Sequence, residues 1–285
     1  MSIVIGLLAP VLWGSTYSVV GLVLYDLSPL WVAAMRALPA GLLLLLLVRR
    51  RPPLPWPRLL ALSLANITLF FALLFLAAFR LPGAVAGTLG ATLPLQLMLV
   101  GWLLYDNRPR LSQLLLALLG LAGVTLLLNP SAGLDPLGMT AGLAATALIA
   151  LASQWMQHWR TEDLLGLTAW QLALGGILLV PLAWLLEGAP PLPSAQQLPG
   201  LAYLVLAGTA LAYWAWLWSL RHLGTELLGM LALVNPVVAV ALGVLLVDET
   251  LSPWQWAGIG LILAAIVLMK LPAPRAATLA PAAKA

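Results

Sequence analysis

Runs of about twenty apolar residues follow one another along almost the whole chain, and that feature alone leaves few folds open. The stretch LLGMLALVNPVVAVALGVLLVDET, Leu227 to Thr250, is representative: no charge interrupts it before Asp248. A helix of about 20 such residues crosses a bilayer core. With 63% hydrophobic and 8% charged residues, the chain carries far less charge than a soluble protein, where about 25% is usual. Its backbone must satisfy its own hydrogen bonds in hydrocarbon, so an all-α polytopic membrane protein is expected. Pro236, near the centre of the quoted run, then needs explaining, because a proline removes a helical donor and clashes with the carbonyl four residues earlier.

Punctuation by Pro, Gly and charge predicts ten transmembrane helices, near 3–25, 29–49, 57–79, 83–104, 111–129, 136–158, 164–187, 200–220, 226–247 and 253–271. The first, MSIVIGLLAPVLWGSTYSVV, has no Lys or Arg before Arg36 and no small-residue cleavage site, so it reads as a span and not a removed signal peptide. Connections are short except EGAPPLPSAQQLPG (187–200), and the Ala/Pro-rich end, 273–285, reads as a disordered cytoplasmic tail. With the N-terminus inside, one set of helix ends gathers eleven of the thirteen Lys and Arg residues. Arg80 lies at the other ends and Arg36 within a span. The positive-inside rule then predicts that both termini are cytoplasmic.

The chain also repeats. A shift of 142 brings Gly87 onto Gly229, Pro94 onto Pro236, Gly101 onto Gly243, Asp106 onto Asp248 and Gln113 onto Gln255; nearer the start of each half, a shift of 135 brings Gly41 onto Gly176 and Arg36 onto Gln171. Residues 1–130 and 131–272 are therefore expected to be two five-helix repeats. An odd helix count inserts them in opposite senses. Inverted repeats mark secondary transporters, whose substrate site lies at the repeat interface. The alternative is a duplication kept only for packing.

The closing half, with its mid-helix Pro, a Gly, the acidic pair Asp248-Glu249 and a last helix bearing Gln255 and glycines, resembles an EamA-type member of the drug/metabolite transporter superfamily. LWGSTYSVV (12–20) is similar to that family's opening helix, and Arg36 stands where its second helix often has Arg. The first half departs from the pattern, with Asp106-Asn107 where the family shows Glu. The resemblance spans the chain and implies a ten-helix exporter of small metabolites, often amino acids, with the aromatic-amino-acid exporters as one branch.

Polar side chains inside a span face a cavity or a partner helix. Thr88, Thr92 and Gln96 recur every four residues and share a face beside Pro94. Asn66 with Phe70, Thr209 with Tyr213, Trp13 with Tyr17, and Thr146, Ser153 and Gln157 form further stripes, and Asn235 adjoins Pro236. Mixtures of aromatic and polar groups line small-molecule pockets. The substrate-binding set expected is therefore Trp13, Tyr17, Asn66, Phe70, Thr88, Thr92, Gln96, Ser153, Tyr213 and Asn235. Hydrogen bonding between helices is the competing role for each. Pro94 and Pro236 are expected to free the carbonyls of Gly90 and Ala232 and to make gates or kinks. Arg36 either holds a substrate carboxylate or is structural, snorkelling or pairing with Asp26 or Glu187.

No acidic residue falls at mid-span, and His158 and His222 lie at helix ends. Proton relays use embedded carboxylates or imidazoles, so facilitated export by alternating access is expected, with a proton-coupled multidrug exporter as the alternative. A non-transporting assembly subunit is the reading from a different class. Without cysteine, a nucleotide-binding loop or metal-ligand spacing, neither an enzyme, a cofactor, a metal nor ATP drive is expected. The scattered net charge of +4 gives no basis for nucleic-acid binding. The partners expected are a small-molecule substrate and the lipid bilayer, in a bacterial inner membrane.

Overall fold

The computed structural model describes residues 2–49, 51–81, 83–129, 135–247 and 251–270, with the side chains of Tyr17, Phe79, Ala84, Val247 and Lys270 left aside. Among these residues every regular element is helical. Eight helices are long and apolar enough to cross a membrane, and Val234–Leu246 and Pro253–Met269 are shorter apolar helices. The protein is an integral membrane protein.

In chain order the helices are α1 (Ser2–Val23), α2 (Pro29–Val48), α3 (Trp56–Ser63), α4 (Phe70–Arg80), α5 (Gly83–Gly90), α6 (Leu93–Tyr105), α7 (Leu111–Leu128), α8 (Pro136–His158), α9 (Leu164–Glu187), α10 (Leu198–Val205), α11 (Ala212–Ala232), α12 (Val234–Val247) and α13 (Pro253–Lys270). Two wide π-helical segments, Leu64–Leu69 and Leu206–Leu211, join α3 to α4 and α10 to α11. Side chains close the helix ends. Asp135 accepts from the Leu137 amide and Asp163 from Gly166 at the starts of α8 and α9. Gln113 accepts from the Arg110 amide at 2.7 Å, and Gln255 from the Ser252 amide at 2.9 Å.

The packing exchanges one half of the chain for the other. α1 lies along α11 and α12, as α8 lies along α4 and α6; α10 touches α2 as α3 touches α9. Two pairs are self-matched, α2 with α9 and α7 with α13. Where α2 crosses α9 the backbones meet: a Cβ on Gly41 would lie 2.1 Å from the Ala173 nitrogen, and one on Gly176 would lie 2.5 Å from the Leu38 nitrogen. No residue but glycine fits at either position without parting the helices.

Three boundaries differ from the sequence reading. The loop expected between spans 8 and 9 shrinks to one non-helical residue, Gly224 (φ 77°, ψ 172°). The apolar helix from Leu198 to Ala232 has 35 residues, about 52 Å at 1.5 Å per residue, too long for a core of about 30 Å without that break. Helical bonding also lapses within the runs at 83–104 and 226–247: the amide of Thr92 turns back to Leu89, and that of Leu233 to Met230. Pro94 and Pro236 consequently fall in the first turns of α6 and α12. Amides in a first turn have no helical carbonyl to reach, so proline forfeits little there.

Candidate functional site

Each π-helical segment is buried through its middle: Asn66, Ile67 and Thr68 in the first, Gly208, Thr209 and Ala210 in the second. A π turn spreads the backbone ladder, and such turns are frequent at functional sites. The central pair α2 and α9 sends side chains into both. From α2, Arg36 donates through Nε to Thr209 Oγ1 (2.8 Å) and through Nη2 to the Gly208 carbonyl (2.6 Å), with its guanidinium 5.5 Å from the Phe71 ring centre. From α9, Gln171 Oε1 accepts from Asn66 Nδ2 at 3.1 Å, and the Gly175 carbonyl accepts from Thr68 at 3.1 Å. Arg36 is buried, at 6% exposure. Charge-assisted bonds contribute about 1.5–3 kcal/mol each, while burying the cation costs several kcal/mol. The two nearly cancel, so Arg36 fixes geometry more than it adds stability.

A small buried pocket of about 10 Å³ lies between Asn66, Met156, Thr168, Gln171, Tyr213, Trp216 and Leu217. That is about the room of one water. Asn66, Gln171, Thr168 and Tyr213 are all buried. Among the described residues, the Gln171 amide nitrogen meets only the Met156 thioether, a weak acceptor, at 3.5 Å. Trp13 backs the pocket, its ring centre 5.4 Å from Tyr213 and 5.3 Å from Trp216. The pocket thus offers neutral donors and acceptors among aromatic walls. A larger hollow of about 490 Å³ around Tyr25–Pro29 and Glu187 is open loop surface, and Glu187 is committed there to capping α2 through the amides of Leu30 and Trp31.

Of the residues singled out in the sequence, Asn66, Tyr213 and Trp13 come together at this pocket. Phe70, one turn from Asn66, packs on Phe71 at 5.1 Å. The side chain of Tyr17 lies outside the described residues. Thr92 Oγ1 donates to the Leu89 carbonyl, and Gln96 donates to Thr92 (2.9 Å) and the Leu143 carbonyl (3.4 Å), so this pair braces α6 against α8 and does not line the pocket. Thr88 stands one turn before Thr92, on α5. Ser153 is fully buried on α8 with no partner for its hydroxyl among the described residues. Pro94 packs against Gly229, and the Asn235 carbonyl faces Gly14 of α1. Arg36 is bound to Gly208 and Thr209; Glu187 caps α2 and Asp26 accepts from Gln197. The sequence reading missed Gln171, Thr168, Met156 and Trp216 as pocket residues. The 135-residue shift that brings Arg36 onto Gln171 was the available signal.

The described carboxylates all stand near helix ends or breaks. Asp106 follows α6, Asp135 and Asp163 begin α8 and α9, Glu187 ends α9, and Glu226 lies two residues past Gly224. Asp248 and Glu249 lie outside the described residues. Asp135 accepts from Arg80 at 3.0 Å, and that bond holds its carboxyl below the ordinary range. No group of three metal-binding side chains occurs among the described residues.

The chain matches the model of the EamA-like transporter family twice, over residues 1–129 and 136–271. It belongs to that family. It is 36% identical to Protein PecM of Dickeya dadantii (strain 3937), over 92% of this chain and 90% of the relative. It is 32% identical to the uncharacterized inner membrane transporter YedA of Escherichia coli (strain K12), over 92% and 88%. A probable amino-acid metabolite efflux pump of Salmonella typhimurium is 28% identical, over 93% of both chains. One crystal structure superposes with a TM-score of 0.81 at 22% identity, over 94% of this chain and 96% of that one, which establishes a shared fold. An EamA-like chain is a membrane transporter and not an enzyme.

Proposed function

We propose that this EamA-like protein exports small neutral or zwitterionic metabolites, amino acids with aromatic side chains among them, across a bacterial inner membrane. It works by alternating access, without ATP and without proton coupling. The observation that carries this reading is the buried pocket between Asn66, Thr168, Gln171 and Tyr213, polar but without a carboxylate and backed by Trp13 and Trp216. Neutral hydrogen-bonding groups orient a zwitterion, and indole and phenol faces receive an apolar or aromatic side chain. At about one water in volume, the pocket must widen to load.

In this reading the chain has ten transmembrane helices in two inverted five-helix repeats, 1–130 and 131–272, with both termini and a tail at 273–285 in the cytoplasm. The exchanged packing of α1 with α8 and the self-matched pairs α2–α9 and α7–α13 support it, as does the twofold family match. Trp13, Asn66 and Tyr213, already gathered at the pocket, contact substrate once it widens. Tyr17, Phe70, Thr88, Thr92, Gln96, Ser153 and Asn235 join as the pocket opens, with Pro94 and Pro236 on the gate helices. Arg36 holds the second π turn. The name of the Salmonella relative agrees with amino-acid export. The test is uptake of labelled phenylalanine into proteoliposomes, with and without an imposed proton gradient. Equal uptake in both supports the proposal; gradient-dependent uptake replaces it with a proton-coupled exporter.

A further inference from the structure

The turn between α8 and α9 brings together a cluster that the transport site does not use. Arg221, on α11, donates through Nη2 to the Thr161 carbonyl at 2.6 Å, yet its buried Nε has no partner among the described residues. Arg160 is exposed in the same turn, one residue before Thr161. Arg58, at the start of α3, lies 5.4 Å from the ring centre of Trp159, which stacks on Trp155 at 5.1 Å. Arg58, Arg160 and Arg221 thus all adjoin the turn after α8, beside the stacked indoles of Trp155 and Trp159.

Basic side chains around one turn, one of them with an unpartnered buried donor among the described residues, favour an anion. The nearby acids answer this only in part: Asp163 caps α9, and Glu162 is solvent-exposed. His158 stacks on Tyr105 and His222 on Trp218. Guanidinium favours phosphate oxygens through paired donors, and indoles favour the glycerol and upper acyl region of a bilayer. We propose that Arg221, Arg160 and Arg58 form a binding site for the phosphate of an anionic phospholipid, with Trp155 and Trp159 supporting its apolar part. The site is separate from the substrate pocket, and its basic residues lie at the helix ends that the charge bias assigns to the cytoplasm. Arg108, at the same set of ends, provides the contrast: it pairs with Asp106 at 3.2 Å and both are exposed.

The test is thermal unfolding of the full-length protein in detergent micelles doped with phosphatidylglycerol or, at the same mole fraction, phosphatidylcholine, with inorganic phosphate as a third arm. Phosphatidylglycerol should raise the wild-type Tm by about 2–4 °C over phosphatidylcholine, as selective binding to the folded state requires. Arg160→Gln and Arg221→Gln should each remove at least half of that rise, and Arg108→Gln should keep it. If Arg221→Gln does not fold, the exposed Arg160→Gln decides alone. An undiminished rise in the Arg160 variant, or equal effects of the two lipids, would overturn the proposal. An equal rise with inorganic phosphate would assign the cluster to a free anion and overturn the lipid assignment.

Discussion

Arg36 and Gln171 stand at matching positions in the two halves, and each reaches into the π-helical segment of the other half. Arg36 binds a backbone carbonyl and a hydroxyl of the second segment, at 2.6 and 2.8 Å; Gln171 meets the Asn66 side chain of the first at 3.1 Å. The charged side makes two short bonds. The amide side leaves a donor facing a thioether and borders the buried pocket. The two matched positions therefore do different work: Arg36 ties α2 to the second π-helical segment, and Gln171 keeps an amide donor with only a weak acceptor among the described residues.

The sharpest attack on that asymmetry is Arg36→Ala. It strands the Gly208 carbonyl and Thr209 hydroxyl at about 1–3 kcal/mol each, and should give the largest loss of thermal stability. Arg36→Gln keeps a donor while removing the buried charge, so it should recover most of the loss; equal damage from both would mean that the charge itself is required. Gly41→Ala comes next, at roughly 1–3 kcal/mol, because its methyl must push α9 away. Gly21→Ala, whose Cβ would meet nothing within 4 Å, is the control and should be neutral in the same unfolding assay. Gln171→Ala should cost about 1 kcal/mol, clearly less than Arg36→Ala; a comparable cost would break the contrast between the halves.

The smallest effect concerns the exposed Arg80–Asp135 pair. Its carboxyl pKa is lowered on folding, so its contribution is present at neutral pH and is lost as the pH falls through and below about 4. Asp135→Asn should leave the Tm at pH 7 nearly unchanged, and should flatten only the acid end of a Tm–pH curve.

Much of this architecture is legible in the sequence because a bilayer demands long apolar runs, and helix ends are marked by Pro, Asp and Gln. Gln113 and Gln255, matched at a constant shift, do the same job at the starts of α7 and α13. The π-helical segments are different. LANITL (64–69) and LAGTAL (206–211) have no composition that sets them apart from α-helix, since a wide turn depends on what packs against it. The one-residue break at Gly224 hides for a similar reason: helical sequence continues on both sides. Asn66, Tyr213 and Trp13 were identifiable as polar or amphipathic groups in apolar spans. Gln171 was not identified as a pocket residue, although the repeat had already aligned it with Arg36. Only packing reveals that the two reach into opposite halves.

The central claim is that the amide side of this pair holds the substrate. Counterflow of labelled phenylalanine in proteoliposomes carrying wild type, Gln171→Ala and Asn66→Ala tests it most directly, with unfolding curves confirming that each variant is folded. A loss of about tenfold or more in exchange rate in both variants, equivalent to about 1.4 kcal/mol, is the predicted result. Exchange at the wild-type rate in folded protein would contradict it.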